Sequence, residues 1–361
     1  MNTRQIRENK ARVVVSEGVF YNPEMSELRD VSVLFLRALG ARGKKVLDAT
    51  AATGIRAIRY GLEAGANDVT VLDMNAAAYR LAKKNVRLNG LKFNVLNESL
   101  QEFANGTKMT FDIIDFDPFG SPQPGINDLM KLSGDGTVLM ITATDTAVLC
   151  GAHEAACVKV YGAKPLHNEM CKEAGIRILI AYIAKAAAGF NFGTQTILSI
   201  SDKHYMRVFL RLQYGAKNAA TSMKEIGLGA FCRNCYSFRF GSGPAPLIRP
   251  ECPVCKNRSD AFGPLWLGRL QDKKMIGEML KLEDAPLIRR IFEEPDTMML
   301  FSVPHITEKL GFSSVSQYRV MEILRANGYF AAKTQFDKDG IKTDAKIGDV
   351  LRAVKKARKS G

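Results

Sequence analysis

Short apolar runs that stop at an acidic or small residue, each followed by a segment with helical spacing, constrain this chain more than any other feature. Val46-Leu47-Asp48-Ala49-Thr50 reads as a strand, closes on Ala51-Ala52-Thr53-Gly54, and gives way to a helix over Ile55 to Ala64. Val69 to Asp73 is a second strand ending in an acid, and Asn75 to Asn89 sets Leu81, Ala82 and Val86 at helical spacing. A strand, a small-residue turn, a helix and a strand ending in a carboxylate make the half-sheet that receives a nucleotide at its carboxyl edge. The alternation runs on to Tyr214. It passes through a strand at Gly136 to Thr142, a long helix at Asn168 to Ala188, and two antiparallel strands, Gly193 to Ser201 and Tyr205 to Tyr214.

The turn selects among nucleotides. Asp73 lies 25 residues past Asp48, close to the offset at which an acid receives the two ribose hydroxyls of an adenosine. A phosphate loop fits poorly, because the turn has a single glycine and no lysine follows Gly54 in the required place. With Asp48 and Arg56 bracketing the turn, a cofactor bearing both an ammonium and a carboxylate fits better than a pyrophosphate. S-adenosylmethionine is such a cofactor.

A third apolar run, Phe111 to Phe116, ends abruptly in Asp117-Pro118-Phe119-Gly120-Ser121-Pro122. These are turn formers, and an ordinary strand-to-turn junction uses the same residue types. At the carboxyl end of a strand they also suit a pocket for a flat base with an amino group. Asp117 and the Pro118 carbonyl can accept the two amine hydrogens, and Phe119 can stack on the ring.

Four stretches, spread over nearly the whole chain, carry a resemblance to the tRNA guanine-N2 dimethyltransferase family, which modifies the guanine at position 26. They are Val19-Phe20-Tyr21-Asn22-Pro23 with Arg29-Asp30, Asp48 through Gly54 to Tyr60, Asp115 to Pro122, and Phe336-Asp337 with Gly340 to Ala345. The resemblance implies a class I methyltransferase (Rossmann-like) α/β sheet with an antiparallel final hairpin, using S-adenosylmethionine on tRNA. It makes Arg29, Arg56 and Asp73 cofactor contacts beside Asp48 and Gly54, and Phe20, Asp117, Pro118 and Phe119 the base pocket. Two departures stand out. The family's Asn-Arg-Asp run is Leu28-Arg29-Asp30 here, and the Asp-Ala pair that meets the adenine corresponds to Ser99-Leu100, with Glu98 as the other candidate for the polar contact.

Composition agrees with an RNA substrate: 51 Lys and Arg against 37 Asp and Glu leave a net charge of +14, which favours a phosphate backbone. The first ten residues are charged and polar, and the longest apolar stretch, Ile178 to Ala184, is far too short to span a bilayer. No membrane and no protein partner is implied, and a cytoplasmic location is expected. Cys232, Cys235, Cys252 and Cys255 form C-x2-C, sixteen residues, C-x2-C, the spacing of a tetrahedral structural zinc; two disulfides or free thiols are the alternatives. Cys150, Cys157 and Cys171 lack such spacing and read as buried small hydrophobes. The four scattered histidines read as packing or surface residues.

With 361 residues, 46% of them hydrophobic, the chain is expected to make two domains, 1–220 and 221–361. Gly215 to Met223 reads as the linker. The second domain is expected to be α+β, with a zinc knuckle at 231–262, which contains a loop at Gly241 to Pro250, and a winged-helix-like part at 295–350. In the latter, Ile306 to Leu310 and Ser316 to Asn327 are two short helices, and Tyr329 to Thr334 and Ile341 to Ala345 are wing strands. Arg319, Arg325, Lys333 and Lys342 are available to nucleic acid. The final Lys355-Lys356-Ala357-Arg358-Lys359 is either a phosphate contact or a disordered end. Two other functions fit parts of the pattern: an adenine-N6 methyltransferase, and a non-catalytic winged-helix nucleic-acid binder.

Overall fold

The carboxyl-ended strands of the pattern line up as one seven-stranded sheet in the computed structural model, which describes residues 3–202, 204–243, 248–311, 313 and 315–359. The chain opens with a hairpin, β1 (Thr3–Glu8) and β2 (Ala11–Ser16), that the sequence reading lacked. β1 is polar and mostly exposed; the hairpin is held because β2 buries Ala11, Val13 and Val15 against Ile55, Ile58 and Val86. After α1 (Ser26–Leu39) come β3 (Lys45–Asp48), α2 (Ile55–Ala64), β4 (Asp68–Leu72), α3 (Ala76–Leu88), β5 (Asn94–Leu96), α4 (Leu100–Gly106) and β6 (Phe111–Phe116). Then follow α5 (Ile126–Lys131), β7 (Ser133–Ala143), α6 (Thr146–Leu149), α7 (Glu154–Tyr161), α8 (Cys171–Gly189), β8 (Phe192–Ser201) and β9 (Met206–Tyr214).

The strand order is β5-β4-β3-β6-β7-β9-β8, parallel throughout except for β9, which runs antiparallel to both neighbours. This is the class I methyltransferase arrangement. The chain steps outward from β3 to β5 and restarts at β6, so the order reverses between β3 and β6 and leaves a crevice at their carboxyl ends. Alternation along each strand builds a core on both faces. Leu47, Ile114, Leu139 and Ile141 pack with Leu179 and Ile183 of α8, while Val46, Ile113, Val138 and Met140 pack with Phe35 of α1 and Tyr60 of α2. Each such aliphatic side chain stabilises the fold by about 1.5–3 kcal/mol when fully buried.

The expected linker at 215–223 is instead a helix, α9 (Ala216–Lys224). Its small residues serve close packing: a Cβ at Gly193 of β8 would meet the Asn218 carbonyl at 2.6 Å, and Ser222 Oγ accepts from the Thr194 N–H at 2.6 Å. Beyond it, β10 (Ile226–Phe231), β11 (Phe238–Ser242) and β12 (Asp260–Trp266) form an antiparallel sheet ordered β11-β10-β12. Within the expected loop at 241–250, residues 244–247 lie outside the described residues. α10 (Lys273–Leu282), α11 (Pro286–Glu293), β13 (Phe301–Ser302), α12 (Val303–Lys309), α13 (Gln317–Ala326), β14 (Ala331–Lys333), β15 (Gly340–Thr343) and α14 (Ile347–Lys359) complete the chain, with a small sheet ordered β13-β15-β14. The basic end is thus the last turn of a helix, with Ala357 buried.

The hydrophobic core does not stop at residue 220. Phe231, Phe262, Trp266, Met299 and Phe336 belong to the same cluster as the α8 face of the large sheet. Lys342 reaches back too: it is buried and bonds Glu173 of α8 at 3.1 Å, beside Arg177 at 2.9 Å from the same carboxylate. That removes Lys342 from the cations free to meet nucleic acid. Among the described residues no helix is long and apolar enough to cross a membrane.

Candidate active site

The turn after β3 is shaped by backbone that ordinary side chains resist. Ala52 has φ 49° and Gly54 φ 75°, and a Cβ at Gly54 would meet the Cβ of Ala82 at 3.2 Å. Asp73, just past β4, secures the turn by accepting from the Ala52 N–H at 2.8 Å, and it accepts from Asn75 N–H at 2.8 Å with its other oxygen. Asp48 lies behind the turn rather than in it. It is buried and accepts from the Ala57 N–H at 3.2 Å, near the start of α2. Burial, and then the charge of Asp115 opposite it on β6, push its carboxyl up to about 8.

Arg56, in the first turn of α2, crosses the crevice to the lip after β6. Its Nε and Nη2 donate to Asp117 Oδ2 at 2.9 and 2.6 Å. Burial works to raise the Asp117 pKa, but Arg56 and then Arg207 outweigh it and hold the carboxyl below the ordinary value of 3.8. Asp117 is therefore an acceptor at neutral pH and a weak holder of protons. Beneath it lies a buried network that the sequence reading missed: Arg207 of β9 donates to Asp115 Oδ1 at 2.8 Å and to Thr142 Oγ1 at 2.6 Å, and the Tyr60 hydroxyl donates to Asp115 Oδ2. The signal was there, since a strand of buried residues interrupted by Arg207 requires an internal carboxylate partner.

Phe20 and Phe119, ninety-nine positions apart in the chain, meet beside this acceptor. Their ring centroids are 4.7 Å apart at 86°, although the rings are 48% and 75% exposed. Gly120, at φ 70°, fixes the lip by donating to Thr144 Oγ1 at 2.7 Å, and Ser121 donates to the Tyr161 hydroxyl at 2.9 Å. Pro118, between Asp117 and Phe119, is half-buried.

Other expected residues are engaged elsewhere. Arg29 is buried and forked onto Glu8 of β1 at 2.7 and 2.6 Å, with Tyr21 under its guanidinium and Arg59 on the same carboxylate at 2.8 Å. Ser99 caps α4: its hydroxyl accepts from the Glu102 N–H at 3.2 Å and donates to the Glu102 carboxylate at 2.7 Å. Leu100 is half-buried and packed on the core near Gly125, and Glu98 is exposed. Two polar atoms of the turn and helix, Thr53 Oγ1 and Arg56 Nη1, are buried without a hydrogen-bond partner. Buried donors are rarely left so, and a polar ligand at the crevice suits them.

The four paired cysteines converge as their spacing predicts, with all four Sγ atoms within 4.8 Å of one another. Both C-x2-C turns have one backbone pattern. Tyr236 N–H donates to Cys232 O at 2.8 Å and Lys256 N–H to Cys252 O at 2.9 Å, with Tyr236 and Lys256 both at positive φ. Cys157 is buried as expected, whereas Cys150 and Cys171 are only half-buried.

Residues 2–355 match the family described as TRM, N2,N2-dimethylguanosine tRNA methyltransferase. The chain belongs to this family. It is 36% identical to the tRNA (guanine(26)-N(2))-dimethyltransferase of Methanothermobacter thermautotrophicus over 356 residues, covering 94% of this chain and 93% of that one. The enzyme of the same name from Pyrococcus furiosus is 35% identical over 379 residues, covering 96% of each. Among solved structures, Trm1 from Pyrococcus horikoshii in complex with S-adenosyl-L-methionine is similar throughout. It has TM-score 0.90 and 32% identity, covering 97% of this chain and 99% of that one. Family and strand order agree.

Proposed function

We propose that this family member transfers one or two methyl groups from S-adenosylmethionine to the exocyclic N2 of guanine 26 in tRNA. The observation that carries the reading is the meeting of Phe20 and Phe119 at the lip beside an ionised Asp117. The lone pair of the guanine amine is delocalised into the ring, so it must be localised and aimed. Asp117 and the Pro118 carbonyl accept its two hydrogens and draw the nitrogen towards a tetrahedral shape. Because Arg56 keeps Asp117 acidic, the carboxylate passes the departing proton on to water rather than storing it. Phe20 and Phe119 part to hold the plane of the extruded base, a stacking contribution of about 1–3 kcal/mol.

The cofactor, when bound, supplies an activated methyl on sulfonium. The crevice residues hold it: Asp73 takes the ribose hydroxyls, and Gly54, at φ 75° against Ala82, shapes the turn beside it. Arg56, whose Nη1 makes no hydrogen bond and lies 3.9 Å from Asp115 Oδ2, receives the cofactor's carboxylate. Arg29 acts from its fork on Glu8, and Asp48 supports the turn from behind. Leu100 covers the adenine, with the remaining lone pair of Ser99 or the exposed Glu98 as the polar contact. Positioning is the larger effect, since near-contact of about 3–3.5 Å between donor and acceptor removes several kcal/mol from a barrier.

The second half, 221–361, is the tRNA-binding part of this reading, and a cytoplasmic location goes with it. Cys232, Cys235, Cys252 and Cys255 hold a structural zinc. Sulfurs at about 2.3 Å from zinc lie about 3.8 Å apart in a tetrahedron, close to the Cys232–Cys255 and Cys235–Cys252 separations of 3.4 and 3.5 Å. The winged-helix assignment, 295–350, rests on β13, α12, α13, β14 and β15 in that sequence, with the strands ordered β13-β15-β14.

The test uses purified protein, labelled S-adenosylmethionine and unmodified tRNA, with nucleoside analysis of the product. Dimethylguanosine at position 26 is expected. Methyladenosine, or tight tRNA binding without transfer, would overturn the proposal.

A further inference from the structure

A second place in the molecule keeps aromatic rings in water beside cations, and none of its residues belongs to the crevice at β3 and β6. α11, α13 and the segment entering β14 enclose a groove of about 770 Å³. Two rings flank it. Phe330 is 73% exposed, second only to Phe119 among the aromatic rings of the described residues, and Tyr318 is 57% exposed. Nothing within the fold requires either ring to stand open, and apolar surface gathered at one spot marks a place of contact.

The chemistry of the lining narrows the contact. Arg289, Arg290, Arg325 and Lys333 face two carboxylates, Asp284 and Glu293, so the groove is electropositive. Arg289 is paired with Asp284, but Arg290 makes no ion pair among the described residues. Lys333 sets its ammonium 4.2 Å over the Tyr318 ring. Arg325 is pinned through Nε and Nη2 to the Ala331 carbonyl at 2.8 and 2.6 Å, which fixes the guanidinium at the wall. Stacking faces with fixed cations between them bind a base and its phosphate together. A duplex buries its base faces in its own stack and cannot use such rings. An unpaired nucleotide can, and the volume lies within the range of small-ligand pockets, about 300–1,000 Å³.

We propose that this groove holds an unpaired nucleotide of the RNA substrate, its base stacked on Phe330 and Tyr318 and its phosphate at Arg290. The inference rests on the reading of the chain as a tRNA enzyme and adds a second nucleotide site to it. The groove then sets where a single-stranded part of the RNA lies while another base is modified at the lip.

A fluorescent ten-nucleotide single-stranded RNA titrated with the full chain tests the groove directly. This probe contains no tRNA fold, so the change that groove substitutions make in its binding reports on the groove whatever the methyl-transfer assay returns. Phe330→Ala is expected to weaken binding about tenfold and Phe330→Tyr to restore it. Arg290→Gln should lower the slope of log affinity against log salt by about 0.7, as expected for one single-strand phosphate contact. Thermal unfolding of each variant and a second substitution, Phe330→Leu, separate loss of the stacking face from loss of fold. Unchanged affinity in Phe330→Ala and Phe330→Leu would overturn the proposal. So would a change in sedimentation without a change in RNA affinity, which would make the patch a contact between copies of the chain.

Discussion

At the carboxyl edge of the large sheet, Asp115 and Asp117 share two buried arginines and a tyrosine beside Asp48; in the second half, four cysteine sulfurs lie within 4.8 Å of one another. The first cluster is balanced internally, carboxylate against guanidinium, so Arg56 holds the Asp117 carboxylate in place. The second is the donor set proposed to hold zinc. On the zinc proposal, one region depends on ion pairs between distant strands and the other on a metal, and the two should fail under different treatments.

Removing the metal should give the largest effect. Structural zinc contributes on the order of 10 kcal/mol to the fold of a small unit. A strong chelator, or Cys252→Ser, should abolish bound zinc in elemental analysis and raise hydrogen exchange across β10 to β12. Amides of β3 and β6 should keep their protection. Equal loss of protection in both regions would break the contrast, and an unchanged metal-free protein would sink the zinc reading. Next in size is Asp117→Ala, expected to lower methyl transfer by about 10² to 10⁴-fold and to lower the thermal midpoint as well, because the buried Arg56 loses its partner. Asp117→Asn, which keeps one acceptor oxygen but loses the pairing with Arg56, should fall between it and the natural protein. Equal activity of Asn and Asp would show that the charge is not used.

The parts of this contrast were not equally legible. Strand ends could be read because an apolar run stopped by Asp, Pro or Gly leaves few alternatives, and all seven strands of the large sheet except the short β5 follow from such runs. The cysteine spacing identified its cluster without help, because two C-x2-C turns repeat one backbone pattern. The pairing of acids with arginines could not be read: Arg207 and Asp115 are 92 positions apart and meet only through sheet order. The sheet order itself brings β9 beside β7. The β1 hairpin was missed because its polar face carries no period, and its role appears only where Glu8 meets Arg29 and Arg59. The Gly215 to Met223 helix was missed because small residues serve both a linker and a helix packed close over Gly193.

The two rings test the lip at a smaller scale. Phe119→Leu keeps apolar area but removes the stacking face, and about a tenfold loss in kcat/KM for tRNA is expected, with Phe20→Leu similar. The pair is in contact, so the double variant should lose less than the product of the two singles. Full multiplicativity would show that the rings act on separate parts of the substrate.

The smallest effect separates two carboxyls within one cluster. Asp117 is held below its ordinary pKa by Arg56 against the pull of burial, while Asp48 is pushed up to about 8 by burial and then by Asp115. The signs differ accordingly. Asp48 binds its proton more tightly folded than unfolded, so its contribution to stability is full below the ordinary value of 3.8 and is lost as pH rises through about 8. Asp117 does the reverse, contributing above 3.8 and losing that contribution only as pH falls through its depressed value. Thermal midpoints measured between about pH 5 and 9 should therefore decline in the natural protein by on the order of a few degrees. Asp48→Asn, whose amide carbonyl can still accept from Ala57, should flatten that decline, whereas Asp117→Asn should leave it in place. A decline that survives Asp48→Asn would mean that Asp48 is ionised in the fold, with the surplus proton elsewhere in the network around Asp115.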